Sequence, residues 1–340
     1  MCKAVNVRRA ALALRLGIAV LAVSPADTTL ASLIADAQPD NRTSQQVLDA
    51  ILKTAEVAPP YQGIGCSEGQ RLASIKAAGT LAVLIRVVQD RSRRLAVRAS
   101  AIGALGCGSY SHAVPTLARL ALDANEDVDL RIQGLNGLRA LRNPRGVDAA
   151  ATLTRDSNPG IRKAAYFALS STPTKESGDA LARRLRSDRS ATRVSLIWAV
   201  FYFGGPRTGI GPLLLENWTA DEADPSLLQA YLAAFTEYQV CSAGPRVRPL
   251  LHHDDVLVRL YATRHLAACP NPDAAVDLTR MLLDDWTNWT FAWETDIEAK
   301  RFAAKATLDQ QQRSELEGAL QDFEVRARQH VHWGPNELRR

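Results

Sequence analysis

Apolar residues recur along most of this chain at the three- and four-residue spacing of an amphipathic helix, in runs that begin with one short signal. In that signal an arginine, numbered zero below, follows an apolar residue or a threonine. Positions −1, +3 and +7 from the arginine are mostly apolar or small, so they share one side of a helix. We predict a helix, called helix B, with this stripe buried. The signal arginines are Arg98, Arg131, Arg162, Arg193 and Arg259.

The signals return at a nearly constant period. Successive arginines lie 33, 31, 31 and 66 residues apart, so one unmarked unit fits between the last two. A second apolar helix pattern, called helix A, lies between the runs, and glycine or proline marks the helix ends. An acid in the turn, such as Asp129, is expected to cap helix B. A fixed period of this size predicts stacked helix pairs, an α-solenoid.

The unit resembles the HEAT-like repeats of the phycobilin-lyase type, short relatives of the HEAT and armadillo repeats. The shared features are the Val-Arg or Leu-Arg opening, alanine at +3, leucine at +7 and an acidic turn such as residues 250–255. The resemblance covers residues 69–305 and implies an all-α, right-handed α-solenoid of about seven stacked HEAT-like helix pairs. Families with this fold serve mainly as binding scaffolds and only occasionally as enzymes.

The chain is expected to divide into four segments. Residues 1–26 have a basic start, an apolar run at 16–23 and small residues ahead of Asp27, the pattern of a cleaved signal peptide. A disordered basic tail or a misassigned start codon is the alternative. An N-terminal segment with a capping helix follows at 27–68, then the repeats at 69–308 and a C-terminal helix and tail at 309–340. The mature protein is expected to be exported, to the periplasm or out of the cell.

Charge and hydropathy limit the expected partners. The predicted leader has four basic and no acidic residues, so its removal lowers the formal net charge from +5 to +1. A nucleic-acid surface needs a clustered basic excess, whereas the arginines of residues 183–193 are interleaved with Asp188, as on a solvated helix face. We expect no nucleic-acid partner. We also expect no membrane span in the mature chain, because no other segment approaches the ~20 apolar residues required.

Candidate metal and catalytic groups are few. His252, His253, Asp254 and Asp255 form the most metal-like string, but its acids stand where the turn before helix B needs a cap. Some HEAT-like enzymes bind iron through His-Glu pairs, and this sequence has no His-Glu dipeptide. We expect no metal, no cofactor and no catalytic residue.

The outward side of helix B carries the candidate binding residues. At 100° per residue, position +5 points away from the buried stripe, and position +8 lies close to it. An apolar patch there, flanked by polar groups, is typical of a partner site. The alternative is that the apolar run at 197–203 is buried all round. The candidate residues are Asn136, Arg139, Phe167, Trp198, Phe201 and Arg264.

A second aromatic group lies in residues 284–294, where it lengthens the A-to-B turn of the last repeat. It contains Trp286, Trp289 and Trp293 among acidic residues. Tryptophans in such an insertion could stack on a sugar or a cation. A hydrophobic lid over the last repeat is an equal alternative.

Four cysteines remain after the predicted cleavage, an even number that favours disulfides in an exported chain. Cys241 and Cys269 each follow a helix B in adjacent repeats, roughly 10 Å apart on one edge, and the loop at 239–245 can close that gap. Cys107 also follows a helix B, but Cys66 precedes the first one. Those two can pair only if residues 59–65 fold across. We predict Cys241–Cys269 and, with more rearrangement, Cys66–Cys107.

These patterns favour a non-catalytic interaction scaffold that binds a protein or peptide through the helix B face. An enzyme or lyase-like activity on a HEAT-like solenoid is the alternative. A DNA-binding HEAT protein is a third possibility if the chain is not exported.

Overall fold

The computed structural model describes residues 79–205, 209–219, 223–284, 286 and 288–330, together with positions 46, 49 and 53. The predicted signal peptide, Cys66 and residues 331–340 lie outside the described residues. Positions 46, 49 and 53 are helical. The other residues of the segment expected to hold the capping helix, 27–68, also lie outside the described residues. Every element in the described part of the chain is helical, as the all-α prediction requires.

The chain forms two compact units, residues 1–108 and 109–340. In the first unit the described helices are α1 (Thr80–Gln89) and α2 (Leu95–Cys107), which pack against each other as one A/B pair. Arg98 opens α2 as predicted, and its Nε donates to the Val88 carbonyl at the end of α1, at 2.8 Å.

The second unit is a stack of helix pairs. Its A helices are α3 (Val114–Leu122), α5 (Val147–Leu153), α7 (Lys175–Ser187), α9 (Ile210–Glu216), the short α11 (Gly244–Val247), extended by a 3₁₀ segment (Arg248–His252), and α13 (Ala274–Leu283). Its B helices are α4 (Val128–Leu141), α6 (Pro159–Ser171), α8 (Arg193–Tyr202), α10 (Pro225–Glu237), α12 (Val256–Ala268) and α14 (Ala292–Lys305). Each B helix packs on the next one along the chain. The unmarked unit predicted between Arg193 and Arg259 is the pair α9 and α10.

The predicted buried stripe is confirmed. In α6, for example, Ile161, Ala165 and Leu169 at positions −1, +3 and +7 have no exposed surface. Gly134 takes the +3 position in α4, where an added Cβ would lie 3.1 Å from the Leu117 carbonyl oxygen. Small residues at +3 therefore let helix A approach helix B closely, and the larger +7 residues fill the interior.

Side-chain caps start several B helices. The Asp127 carboxylate accepts from the backbone N–H groups of Asp129 and Leu130, and Asn158 caps α6 in the same way. Asp129, the cap predicted from sequence, lies instead inside the first turn of α4. The prediction was wrong by two residues because the helix begins a half-turn earlier than the apolar run.

The repeated arginine has a structural role that explains the period. In the second unit it donates to carbonyls at the end of helix A or in the following turn, where backbone oxygens lack helical partners. Arg131 shows this clearly, with Nε 2.9 Å from the Ala121 oxygen and Nη2 2.6 Å from Asp156 Oδ2. The corresponding acceptors are Asp156 O and Ser157 O for Arg162, Leu185 O and Asp188 O for Arg193, and His253 O and Asp254 O for Arg259.

The last helix, α15 (Gln310–His330), closes the stack where a C-terminal helix was predicted. It packs on α13 and α14 and buries an apolar face, which comprises Leu316, Ala319, Leu320, Phe323 and Ala327. None of the described helices is both long and apolar enough to cross a membrane.

The structure contains the predicted disulfide between Cys241 and Cys269, with a Cα–Cα distance of 5.1 Å. Both cysteines lie just beyond the ends of neighbouring B helices, α10 and α12, which places them on one edge of the stack. Cys107 is also disulfide-bonded, and Cys66, its predicted partner, lies outside the described residues.

Candidate partner-binding face

The candidate binding residues lie on four B helices, α4, α6, α8 and α12, where the sequence places them, and α10 carries none. Phe167 of α6 and both Trp198 and Phe201 of α8 are partly exposed. They were expected to face solvent, but each ring is partly covered by its neighbours. The alternative of a run buried all round does not describe α8, because Trp198 and Phe201 keep exposed surface while Ile197 and Phe203 have none.

Ring contacts join Trp198, Phe201 and Tyr202 on α8, whereas Phe167 on α6 contacts Arg139. Trp198 packs edge-on against Phe201 at 5.4 Å between centroids and stacks on Tyr202 at 6.1 Å. Phe201 and Tyr202 are themselves 4.9 Å apart. The Arg139 guanidinium of α4 lies 5.4 Å from the centroid of Phe167, in the geometry of a cation–π interaction.

The ring contacts continue inward to Tyr261 of α12, which is buried, with 3% of its surface exposed. The rings of Trp198 and Tyr261 are 6.3 Å apart, although α10 lies between their helices. Because α10 carries alanine at 230, 233 and 234, all buried, no large side chain separates the two rings. We call this group of side chains the aromatic strip: the exposed or partly exposed Arg139, Phe167, Trp198, Phe201 and Tyr202, and the buried Tyr261 behind them.

Two members of the strip, Tyr202 and Tyr261, were missed by sequence reasoning. They occupy positions +9 and +2, one helical turn after and before position +5. Helix residues three or four apart are neighbours on the helix surface. Choosing the positions one turn to either side of +5, as well as +5 itself, would have included both tyrosines. Their contacts with Trp198 depend on packing between helices, which the period alone does not describe.

Asn136 and Arg264 behave differently from the other candidates. Asn136 is partly exposed, one turn before Arg139 on α4. Arg264 lies 5.3 Å from the Tyr261 ring but is largely buried, and its Nε is 3.2 Å from Glu298 Oε1. Glu298 also pairs with Arg301 at 2.9 Å. The charge of Arg264 is thus balanced by Glu298, and the Arg264 guanidinium packs against the Tyr261 ring.

The Trp198 indole and the Arg139 guanidinium are hydrogen-bond donors, and the hydroxyls of Tyr202 and Tyr261 can both donate and accept. Burial raises the pKa of Tyr202, and raises that of Tyr261 to about 12, so both hydroxyls stay protonated at neutral pH. Desolvation lowers the pKa of Arg139, but a guanidinium remains charged in proteins. Among the described residues, no hydrogen-bond acceptor is found for Trp198 Nε1, either tyrosine hydroxyl or the Arg139 guanidinium.

The second aromatic group packs under the last helix. Trp286 is buried, its Nε1 donates to the Met281 carbonyl at 2.9 Å, and its ring lies 4.9 Å from Phe323 of α15. Trp289 stacks on His330 at 4.8 Å. Trp293 is partly exposed in the first turn of α14. For Trp286 and Trp289 these contacts match the lid alternative, since side chains of α15 pack against both rings.

The histidine–aspartate string acts as a turn. Asp255 caps α12 by accepting from the Val258 N–H at 2.9 Å. His253 Nδ1 accepts from the Asp255 N–H, and His252 Nδ1 lies 2.9 Å from Asp284 Oδ2. In the described part of the chain no group of three or more histidine, cysteine or acidic side chains is arranged to hold a metal ion.

A shallow cavity of about 220 Å³ lies beside the start of α8. Arg189 and Arg193 line it, but their guanidinium groups already bind the Asn217 side chain and backbone carbonyl, at 2.8 and 2.9 Å. The two arginines of this cavity are therefore already used in hydrogen bonds within the protein.

Sequence reasoning also passed over one motif. Residues 65–69 have the Gly-x-Ser-x-Gly spacing of a nucleophile elbow, centred on Ser67. That motif works on a strand-to-helix turn, and none of the described residues forms a strand. The motif itself lies outside the described residues.

Comparison with known proteins supports the repeat fold. Residues 118–200 match the family model of HEAT repeats. Among solved structures, an engineered protein matches with a TM-score of 0.51 and 17% identity, over 84% of this chain and 79% of its own. The complex of CpcE and CpcF of phycocyanin lyase from Nostoc sp. PCC7120 matches with a TM-score of 0.34 and 16% identity, over 72% of this chain and 94% of its own. No curated protein matches the sequence.

Proposed function

We propose that this HEAT-repeat protein is a non-catalytic scaffold that binds a protein or peptide through the aromatic strip. The observation that carries the proposal is a cluster of aromatic rings on α6 and α8, where Phe167, Trp198, Phe201 and Tyr202 keep exposed surface and Tyr261 of α12 lies buried against Trp198. Aromatic residues and arginine are enriched at the energetic centres of protein interfaces. HEAT repeats commonly mediate protein interactions, which agrees with this role.

The chemistry of the strip fits recognition better than catalysis. Its side chains supply apolar area and hydrogen-bonding groups, and the raised pKa values of Tyr202 and Tyr261 keep both hydroxyls protonated, so neither is available as a general base at neutral pH. Rings that already contact one another are held in place before a partner arrives. Less side-chain freedom is then lost on binding.

We further propose that the protein works after export. Both the Cys241–Cys269 disulfide and the bonded state of Cys107 support this, because structural disulfides persist in oxidising compartments and are rare in the cytosol. Export would also separate the protein from DNA, which disfavours the nucleic-acid alternative.

Photocrosslinking in the native host tests the scaffold role. The full chain is expressed with a benzophenone amino acid at Phe201 in the strip or, as the control, at Arg183 on the exposed side of helix A. We expect a discrete protein adduct from position 201 and none from position 183. Equal adducts from both positions, or none from position 201, would contradict the proposal.

The variant Trp198→Ala separates binding from folding. Since Trp198 is partly exposed, we expect loss of the adduct with a stability cost of about 1–2 kcal/mol, below the ~3–5 kcal/mol of a fully buried aromatic. Phe203→Ala, with no exposed ring surface, is the matched core control. A Trp198→Ala protein as unstable as Phe203→Ala in urea unfolding would make Trp198 a core residue and remove it from the site.

A further inference from the structure

We infer that α15 is a pH-sensitive lid on the last repeat: it docks most tightly in mild acid, when the Asp296 carboxyl is protonated, and less tightly at neutral pH. The lid covers Trp286 and Trp289, whose rings pack against Phe323 and His330 of α15. Weaker docking therefore makes this aromatic pair more accessible. The inference is independent of the aromatic strip.

Asp296 is a buried carboxylate with one oxygen left unsatisfied. It lies in the second turn of α14, and 2% of its side chain is exposed. Oδ2 is 2.9 Å from Lys300 Nζ, whereas the buried Oδ1 has no hydrogen-bond donor among the described residues. A charged oxygen that has lost water without gaining a donor costs free energy. Protonation of the carboxyl removes that cost.

The docking of α15 places Asp296 in this environment. Lys300 Nζ also lies 2.9 Å from Glu324 Oε2 of α15, so one ammonium group is shared by two carboxylates across the helix interface. Glu324 pairs in turn with Arg328. The charged groups that face Asp296 are therefore Lys300 from its own helix and Glu324 and Arg328 from α15.

The other helix that packs on α14 is α12, and its ionisable groups have partners elsewhere. Arg264 pairs with Glu298. The His265 ring lies 6.1 Å from the ring of Phe235 on α10. The charge balance around Asp296 is thus decided between α14 and α15.

The sign of the pH response follows from the burial of Asp296. Desolvation raises the pKa of Asp296 above its ordinary 3.8, against the opposing effect of Lys300. Undocking returns the carboxyl to water, where its pKa is ordinary. The docked form therefore binds the proton more readily, and docking strengthens as the pH falls through the docked-state pKa.

Glu324 sets the lower limit of that response. Its hydrogen bonds with Lys300 and Arg328 lower its pKa below the ordinary 4.5, so its contribution to docking is lost only at still lower pH. Docking therefore passes through a maximum in mild acid. Contacts without a titrating group hold α15 in place throughout, since Arg326 donates to the carbonyls of Leu282 and Asp284.

Hydrogen exchange of the oxidised full chain, followed by mass spectrometry from pH 7.5 to 4.5, tests the inference. Rates are corrected for the intrinsic pH dependence of amide exchange. We expect the protection of α15 to rise at least about threefold as the pH falls, because linkage can change the docking equilibrium up to about tenfold per pH unit. Protection of α4, which lies several repeats away, is the internal reference and should not follow this rise.

Three variants assign the effect. Asp296→Asn cannot titrate, so protection of its α15 should show no such rise. Glu317→Gln removes an exposed carboxylate of α15 and, as the matched control, should respond like the wild type. Glu324→Gln should move the rise to lower pH, because Lys300 then serves Asp296 alone and a repelling charge is gone.

The contrary outcomes are equally defined. Constant α15 protection in the wild type, or an undiminished rise in Asp296→Asn, overturns the inference. His330 also lies in the interface, stacked on Trp289, so a rise abolished by His330→Gln would assign the response to the histidine and overturn it too. If circular dichroism shows that Asp296→Asn does not fold, Glu324→Gln decides, and a rise at unchanged or higher pH refutes the inference.

Discussion

Removing the Cys241–Cys269 disulfide should destabilise the C-terminal repeats by an amount that the loop length determines. The double variant Cys241→Ala/Cys269→Ala opens a loop whose ends are 28 residues apart and leaves Cys107 untouched. In the chain-entropy model, closing a loop of this length removes unfolded-state entropy equivalent to about 3.6 kcal/mol at 25 °C. Alanine avoids leaving a free thiol at Cys269, which is buried. We expect a loss of about 2–4 kcal/mol.

Urea unfolding followed by circular dichroism measures the loss, and hydrogen exchange shows where it falls. In a repeat protein each unit contacts mainly its neighbours, so local destabilisation stays near the altered pair. We expect faster exchange in α10 and α12 and unchanged exchange in α4. Treating the wild type with a reductant is a poorer comparison, because it would also open the disulfide of Cys107.

Three results would refute this reasoning. A loss below about 1 kcal/mol would show that the link adds little beyond the packing of α10 on α12. A uniform rise in exchange from α4 to α12 would contradict the repeat-by-repeat account of stability. Free thiols at Cys241 and Cys269 in protein purified without reductant would show that the bond is not formed.

Three further predictions test the packing, the pH response and the export of the chain. Arg131→Met should lower the unfolding free energy by about 2–4 kcal/mol in urea, because it leaves the Ala121 carbonyl and Asp156 without their partner; Arg155→Met, at an exposed arginine, should change it by less than about 0.5 kcal/mol. His265 is fully buried, and desolvation lowers its pKa to about 4. The unfolded chain binds a proton at His265 more readily than the folded protein does. The contribution of the neutral, buried imidazole to the free energy of unfolding is therefore complete above pH 6.5. It is lost as the pH falls towards 4, by roughly 3 kcal/mol at pH 4. Subtracting the unfolding free energies of His265→Leu from those of the wild type at each pH should isolate that slope, and a flat difference would contradict it. N-terminal sequencing of the protein recovered from its working compartment should begin at or near Asp27, whereas intact Met1 there would overturn the export proposal.

Features that repeat locally could be predicted from the sequence. The period of the signal arginines indicated helix pairs, because an apolar residue every three or four positions buries only one side of a helix. The stripe through Ile161, Ala165 and Leu169 followed from the same spacing. Cys241 and Cys269 could be paired because both follow a helix B, and equivalent positions in stacked repeats lie on one edge. Positions +5 and +8 likewise placed Trp198 and Phe201 on a partly exposed face.

Only the tertiary structure decided what those residues contact. The meeting of Trp198 with Tyr261 depends on the alanines of α10 and on how three helices pack, since the two rings belong to repeats that are not adjacent. The acceptors of the signal arginines depend on where each helix A ends. The position of Trp286 under Phe323 depends on how α15 folds back on the last repeat. A periodic sequence determines which side of each helix is buried, whereas contacts between distant repeats depend on the distances and angles at which those helices pack.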